Sequence, residues 1–539
     1  MSRRPIFVIS LDGGAFPIFD RLIASGDMPT LAAMLHDGAH GVLRSSIPPI
    51  TPVAWTSFLT GKRPGKHGVY DFRIYDPSGY RDAFVTSRAI RDATLGELLT
   101  AAGRRVAIVN LPMMYPPPEN VGTVVSGFDT PSVATAFTQP PALRDRILAA
   151  IPDYTFVATA DGGAAAALDD ATFARFAAQA ERSIEQRTTV ARLLLADGPW
   201  DAFILHHQDT DALQHKLWQA LVTPDIAPAR WDRLRQVYRR LDAGLAEVFA
   251  AAPPDALRLI VSDHGFGPHH GRVFPNVLLR QWGFVHQPGR WRARLARSLR
   301  KRLTKLGLAT AETRADRRWE VRVREHGFAS ALPVQWDGTR AYVAAAEIYG
   351  LLYLNLRGRE PEGVVDPSDV PALLDELTTR FRAVRDPHDG SAVFADVLRG
   401  SAVDPVDVHG RRPDLILVPR PDLTVSRDLN DRLWLDRYAA ELGTHRPEGV
   451  LLAAGCGIRN GRLASDVDLV DLLPTILAAA GVPVPDDVDG RLLSELFDDA
   501  PVLERVAAGP RAAGGADGGL SEDEEEDVAE RLRALGYLA

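Results

Sequence analysis

Ile6-Phe-Val-Ile-Ser-Leu-Asp12-Gly-Gly14 is a short apolar run closed by an acid and two glycines. A strand buried on both faces of a parallel sheet has this composition, a continuous hydrophobic stretch rather than an alternating one. Runs of the same kind recur at Val106–Val109, Ala202–Leu205, Leu257–Val261, Leu415–Val418 and Val450–Leu452, and all are read as parallel strands. Helical patterns lie between them, at Leu95–Ala102, Phe173–Leu195 and Trp231–Ala250. The alternation predicts an α/β fold with a mostly parallel central sheet. Ligands in such folds bind beyond the carboxyl ends of the strands, so the residues that follow each run are the candidates for chemistry.

Those residues are of one kind. Asp12 ends the first run; Asp209, Asp211 and His215 follow the third; Asp263 and His264 follow the fourth; His445 stands just before the last. An Asp after a strand is commonly a turn or cap residue. A chain with 14 histidines that places acid and histidine together after two strands calls for more than that. Asp211 and His215 are four residues apart, so on a helix they share a face. Asp263 and His264 are adjacent, and both reach one site only if the strand has ended and Gly265-Phe-Gly267 lets the chain turn. Carboxylate and imidazole ligands suit Zn²⁺, or Mn²⁺, better than Ca²⁺. Six such ligands exceed one tetrahedral ion, whereas two ions with three ligands each keep open positions for phosphoryl transfer.

Ile50-Thr-Pro-Val-Ala-Trp-Thr-Ser-Phe-Leu-Thr-Gly61 reads as a helix with Thr51 as N-cap, Pro52 in the first turn and Gly61 as the stop. A hydroxyl at a helix N-terminus is also well placed to meet an anion.

In this order the pieces Ser10-Leu-Asp12-Gly-Gly, Thr51-Pro, Thr60-Gly-Lys-Arg-Pro-Gly-Lys-His67-Gly, Asp211-x3-His215, Ser262-Asp-His-Gly265 and Gly443-Thr-His445 resemble the alkaline phosphatase superfamily. Within it they are most similar to the type I phosphodiesterase/nucleotide pyrophosphatase family. The resemblance runs to about Leu496, with Asp466–Leu477 similar to the superfamily's closing helix. It implies an alkaline phosphatase-like fold, helices on both faces of the sheet, and an inserted cap. It implies that Asp211, His215 and His445 hold one divalent ion and that Asp12, Asp263, His264 and Thr51 hold the other. Thr51 would then be the nucleophile, forming a phosphothreonine during hydrolysis of a phosphodiester or pyrophosphate. The family usually carries an Asn shortly after His67-Gly, where this chain has Val-Tyr-Asp71-Phe72. Lys62, Lys66 and Asn110 are the candidate replacements. Phosphomonoester, phosphonate and phosphotransfer chemistry would use the same centre, and a non-catalytic metal-binding role is the alternative from another class. Thr51 disfavours a sulfatase, which needs Cys or Ser for conversion to formylglycine.

The rest of the chain is ordinary. Its 539 residues are 46 % hydrophobic and 24 % charged, with one cysteine, Cys456, which excludes an intrachain disulfide. A net charge of −8 gives no general case for a nucleic-acid polymer as partner, and a phosphorylated small molecule is expected instead. No segment approaches the roughly 18 apolar residues of a membrane span, and the apolar run after the N-terminus is too short for a signal peptide, so a cytoplasmic protein is expected. The expected organisation is a discontinuous core, 1–275 and 336–500, an inserted basic cap at 276–335, and a linker with a terminal helix at 501–539. Eight basic and no acidic residues lie between Arg290 and Lys305, a charge run that reads as a solvated cap helix or as a segment for anions or a membrane surface. Ser521-Glu-Asp-Glu524 reads as a capping box ahead of Val528, Leu532 and Leu535.

Overall fold

The computed structural model describes residues 3–159, 168–287, 334–429, 434–509, 520–535 and 537. The basic segment 290–306 lies outside the described residues. The chain forms two compact units, one of Met1–Phe72, Phe84–His269 and Ala439–Ala539, the other of Arg73–Ala83 and His270–Tyr438.

In the first unit the strand Ile6–Leu11 is buried along its whole length. It runs parallel to Ala202–His207 on one side and Leu257–Val261 on the other, with Ser10 opposite His206 and Val261. The sheet continues through Val106–Val109 and Thr123–Val125, also parallel. The in-step register makes three chains leave the sheet at the same edge, at Asp12, at Gln208 and at Ser262. Val450–Leu452 lies within the strand Glu448–Ala454, which is antiparallel to both Leu257–Val261 and Ala39–Arg44, not parallel as its composition suggested. A strand buried on both faces is continuously apolar in either direction, so direction is not written in the run. The preceding strand, Leu435–Arg446, turns back at Pro447 and sends His445 past the exits of the parallel strands.

The run Leu415–Val418 belongs to the second unit. There Leu415–Pro419 pairs antiparallel with Gly350–Leu354 and Phe394–Arg399 in a four-stranded sheet completed by Ala341–Ala346. This unit also carries an aromatic cluster in which the ring of Tyr80 stacks on Trp336 at 3.9 Å.

The helices follow the sequence closely: Leu95–Ala101, Asp170–Leu195 and Pro228–Ala251. The Asp466–Leu477 stretch forms a capped turn at Leu469–Asp471 that runs into the fully buried helix Leu472–Ala479. Among the described residues no helix is long and apolar enough to cross a membrane.

Asp27, in the turn after the helix Phe16–Ala24, ties that corner to the helix Pro228–Ala251. It accepts from Arg235 Nε and Arg239 Nε, both at 2.5 Å. Burial alone would push the carboxyl up, but the hydrogen bonds of Arg235, Ser25 and Arg239 outweigh it and hold it below the usual aspartate range. A depressed folded-state pKa means that the stabilisation is present above the unfolded value, about 3.9, and is lost as pH falls through the folded one. Asp27→Asn should therefore lower stability by about 1–3 kcal/mol at pH 7. The difference from wild type should shrink below about pH 4. Urea unfolding at both pH values checks this, and a pH-independent difference would contradict it.

Candidate metal centre

Asp12 follows the strand Ile6–Leu11 directly, and its backbone N–H donates to His207 O at 3.0 Å, extending the parallel pairing by one residue. Its Oδ2 accepts from the indole of Trp55 at 3.1 Å. Asp211 and His215 lie on the helix Asp209–Val222, on one face as their spacing required, with His215 Nε2 3.4 Å from Asp211 Oδ1. Asp263 and His264 occupy the turn between Leu257–Val261 and Gly265–Val273, where both side chains reach the same site: His264 Nε2 is 3.3 Å from Asp263 Oδ2 and 3.5 Å from Asp12 Oδ1. Gly265 is needed here because a Cβ would lie 2.0 Å from Glu448 O, so close backbone approach, rather than a left-handed φ, demands the glycine.

His445 comes in from the strand Leu435–Arg446, its Nε2 3.0 Å from His215 Nε2 and 3.3 Å from Asp211 Oδ1. All six predicted ligands are thus together. Their atoms include two groups able to hold an ion, Asp12–Asp263–His264 and Asp211–His264–His445, with His264 shared and His215 beside the second.

The three imidazoles share one orientation. Nδ1 of His215, His264 and His445 faces a backbone carbonyl, of Gly443 at 3.2 Å, Gly265 at 3.1 Å and Pro49 at 3.0 Å. A proton on each Nδ1 satisfies those carbonyls and leaves the Nε2 lone pairs for the centre, the arrangement by which outer partners set metal-ligand tautomers. Asp12 Oδ1, Asp211 Oδ1, Asp263 Oδ2 and His264 Nε2 are buried without a hydrogen-bond partner. Buried polar atoms are rarely left so, and a cation would satisfy all four.

The electrostatics agree. Burial, then the neighbouring charges of Asp263 and Asp211, pushes the Asp12 carboxyl well above its ordinary value. Burial and Asp211 do the same to Asp263. Asp211 is held well below its ordinary value because His215 and His445 outweigh its burial. Burial lowers His264 and His445 and favours their neutral, ligating forms.

Thr51 is the first residue of the helix Thr51–Thr60, Pro52 the second, and Ile50 stands in the cap position. The expected N-cap is therefore displaced by one residue, and Thr51 makes no capping bond. Gly61 ends the helix in the left-handed region, φ 64°, as read from the sequence. The Thr51 hydroxyl is completely buried and lies 3.2 Å from the phenol oxygen of Tyr537.

Of the donors considered for the missing Asn, Lys62 is held by Asp92 and Asp487, Lys66 by Asp489, and the amide of Asn110 donates to Ser126 O and Tyr154. Each is committed away from the centre.

Four residues escaped the sequence reading. Trp55 holds Asp12 from the helix that begins at Thr51, one turn on, a spacing that could have shown it. His206 accepts the hydroxyl of Ser10 on Nδ1 at 2.9 Å and donates from Nε2 to Gln208 Oε1 at 3.1 Å. Gln208 Nε2 reaches Asp211 Oδ2 at 3.4 Å. Tyr537 carries no local signal at all.

The profile of the family described as type I phosphodiesterase / nucleotide pyrophosphatase matches residues 6–448, and the chain belongs to that family. No curated protein matches it. Among solved structures it is similar to phosphonoacetate hydrolase from Sinorhizobium meliloti 1021 in complex with phosphonoformate, at TM-score 0.54 and 18 % identity over 89 % of this chain and 96 % of that one. The same hydrolase with phosphonoacetate gives TM-score 0.53 and 18 % identity over the same shares, 89 % and 96 %. Human ectonucleotide pyrophosphatase / phosphodiesterase 5 gives TM-score 0.50 and 11 % identity over 92 % of this chain and 100 % of that one. These likenesses place the fold among alkaline phosphatase-like folds.

A cation entering the centre must displace protons from the Asp12–Asp263 pair, because their raised pKa keeps protons there at pH values where free aspartate has lost them. Binding of Zn²⁺ to metal-free protein should release protons, and the affinity should fall as pH is lowered. Calorimetry in buffers of different ionisation enthalpy checks both, and proton-neutral binding would contradict the assignment.

Proposed function

We propose that this member of the type I phosphodiesterase/nucleotide pyrophosphatase family is a dimetal hydrolase that cleaves phosphodiester or pyrophosphate bonds of small molecules through a phosphothreonine at Thr51. The observation that carries the reading is the set of three imidazoles with Nδ1 anchored on carbonyls and Nε2 turned toward unpartnered carboxylate oxygens. Asp211, His215 and His445 would hold one ion, and Asp12, Asp263 and His264 the other together with Thr51. The ions, Zn²⁺ ahead of Mn²⁺ for this donor set, would supply positive charge that lowers the pKa of a hydroxyl and offsets charge on a phosphoryl group.

The residues supply the rest. Thr51 Oγ1 attacks phosphorus in line; its O–P bond forms as the bond to the leaving oxygen breaks and its proton passes to solvent. Water then attacks the same phosphorus, the Thr51 O–P bond breaks, and the threonine hydroxyl is regenerated as the phosphomonoester leaves. Trp55 and Gln208 fix the outer oxygens of Asp12 and Asp211, so neither carboxylate has to reorient during the reaction. The commitment of Lys62, Lys66 and Asn110 elsewhere favours a second reading of the substrate. With Asp71 and Phe72 where the family carries Asn, a phosphonate or phosphomonoester handled by the same centre is the alternative substrate.

Thr51→Ala should lower kcat on the order of 10³-fold or more while retaining both ions. The stability change should stay within about 1 kcal/mol, since no cap is lost. Thr51→Ser should keep part of the activity. Mass spectrometry of acid-quenched enzyme during turnover of a phosphodiester should show, on the peptide containing Thr51, one phosphoryl group, about 80 Da, plus the mass of the ester substituent that stays on phosphorus until water attacks. Normal turnover by Thr51→Ala would show that water attacks directly. Fewer than two ions per chain at saturation would contradict the dimetal assignment.

A further inference from the structure

The last described helix, Glu522–Leu535, is docked by more than its apolar stripe. Ser521 and Glu524 form the expected capping box, with Ser521 N–H donating to Glu524 Oε2 at 2.8 Å. Val528, Leu532 and Leu535 are buried, the first two against a recess lined by Pro52, Phe72, Met113 and Phe128. Arg531 donates to the backbone carbonyls of Phe128, Thr130 and Pro131. Tyr537 N–H then donates to Leu532 O at 2.9 Å, closing the turn that directs the side chain inward.

The Tyr537 ring lies 4.7 Å from Phe72 and 5.2 and 5.6 Å from His215 and His445, centroid to centroid. Its hydroxyl donates to Asp211 Oδ2 at 2.6 Å. It lies within hydrogen-bond distance of Gln208 Nε2 and of Thr51 Oγ1, 3.2 Å in each case. Asp211 Oδ1, the oxygen that faces His215 and His445, is left alone by the phenol. The contact is therefore compatible with an occupied metal centre.

Two consequences follow. The phenol oxygen lies 3.2 Å from Thr51 Oγ1, so a phosphoryl group bonded there would contend with it for the space beside that oxygen. With the segment in place every residue of the centre is buried, none more than 9 % exposed. The segment joins the rest of the chain through Pro510-Arg-Ala-Ala-Gly-Gly-Ala-Asp-Gly-Gly519, a composition suited to a long tether.

We propose that residues 520–537 are a built-in competitive plug: the Tyr537 phenol occupies the place of the substrate's ester oxygen beside Thr51, and undocking of the helix opens the centre. This rests on the reading of that centre as the site of phosphoester hydrolysis. A plug that is docked most of the time lowers the apparent affinity for any ligand by the fraction of open chains.

The test compares metal-loaded full-length protein with a chain ending at Gly519 and with Tyr537→Ala, which keeps the helix. Hydrolysis of bis(p-nitrophenyl) phosphate is measured together with calorimetric binding of inorganic phosphate. Both variants should raise kcat/KM and phosphate affinity by about tenfold or more, as for a site open in a tenth of the molecules. A synthetic peptide of residues 520–537 should inhibit the shortened chain competitively, and the same peptide with Tyr537→Ala should not. Unchanged or weaker phosphate binding by Tyr537→Ala at full metal content would overturn the plug and make Tyr537 a residue that positions Asp211. Tighter phosphate binding with no hydrolysis by any of the three proteins would keep the plug and defeat the hydrolase reading instead.

Discussion

Three aspartates, Asp12, Asp211 and Asp263, are buried side by side with three histidines, and much of the fold exists to tolerate that arrangement. Like charges in a low-dielectric interior cannot all persist without compensation. Within the protein alone the conflict is visible as two carboxyls pushed up and one held down by its histidines. The surrounding structure does not relieve it. The indole of Trp55, the N–H of Gly13 and the amide of Gln208 satisfy outer oxygens, while the inner ones stay unpaired. A scaffold that spends its donors on the outside of a carboxylate cluster is arranged for cations on the inside.

The central sheet is what brings the groups together. Parallel strands in step export their following residues to one edge, so residues some 200 positions apart meet without long loops. This is why the centre was legible before the fold. Apolar runs identified the strands, and the acid and histidine after each run identified the edge. The strand directions were legible only in part. Val450–Leu452 and Leu415–Val418 are as apolar as their parallel counterparts, yet both pair antiparallel, because double-sided burial selects composition and not direction. Membership of the second unit was equally hidden in Leu415–Val418, since a strand's composition does not say which sheet it joins.

At finer scale, legibility followed sequence distance. The i, i+4 relation of Asp211 and His215 needs only a helix, and the turn at Asp263–His264 only a glycine that permits close approach. Thr51 was placed one position off because Thr-Pro reads equally well as cap and first residue or as first and second. The structure takes the second, with Ile50 at the cap. That small displacement matters chemically: a capping hydroxyl would be tied to its own helix, whereas the hydroxyl of Thr51 is free to meet what lies in front of it. The contribution of His206, sandwiched between Ser10, Gln208 and Trp55, could not be read from spacing, because it depends on the register of two strands nearly 200 residues apart.

Tyr537 is the extreme of that gradient. No periodicity or motif around it points to Thr51, some 486 positions away, and residues 510–519, ahead of its helix, have the composition of a tether. What sets its position is the helix before it, fixed by Arg531 on three carbonyls and by an apolar stripe over Phe72 and Phe128. The same two phenylalanines flank the Tyr537 ring. The proposed plug thus depends on a wall built by Phe72 and Phe128, and a change at either ring would reach the Tyr537 phenol through the contact that seats it.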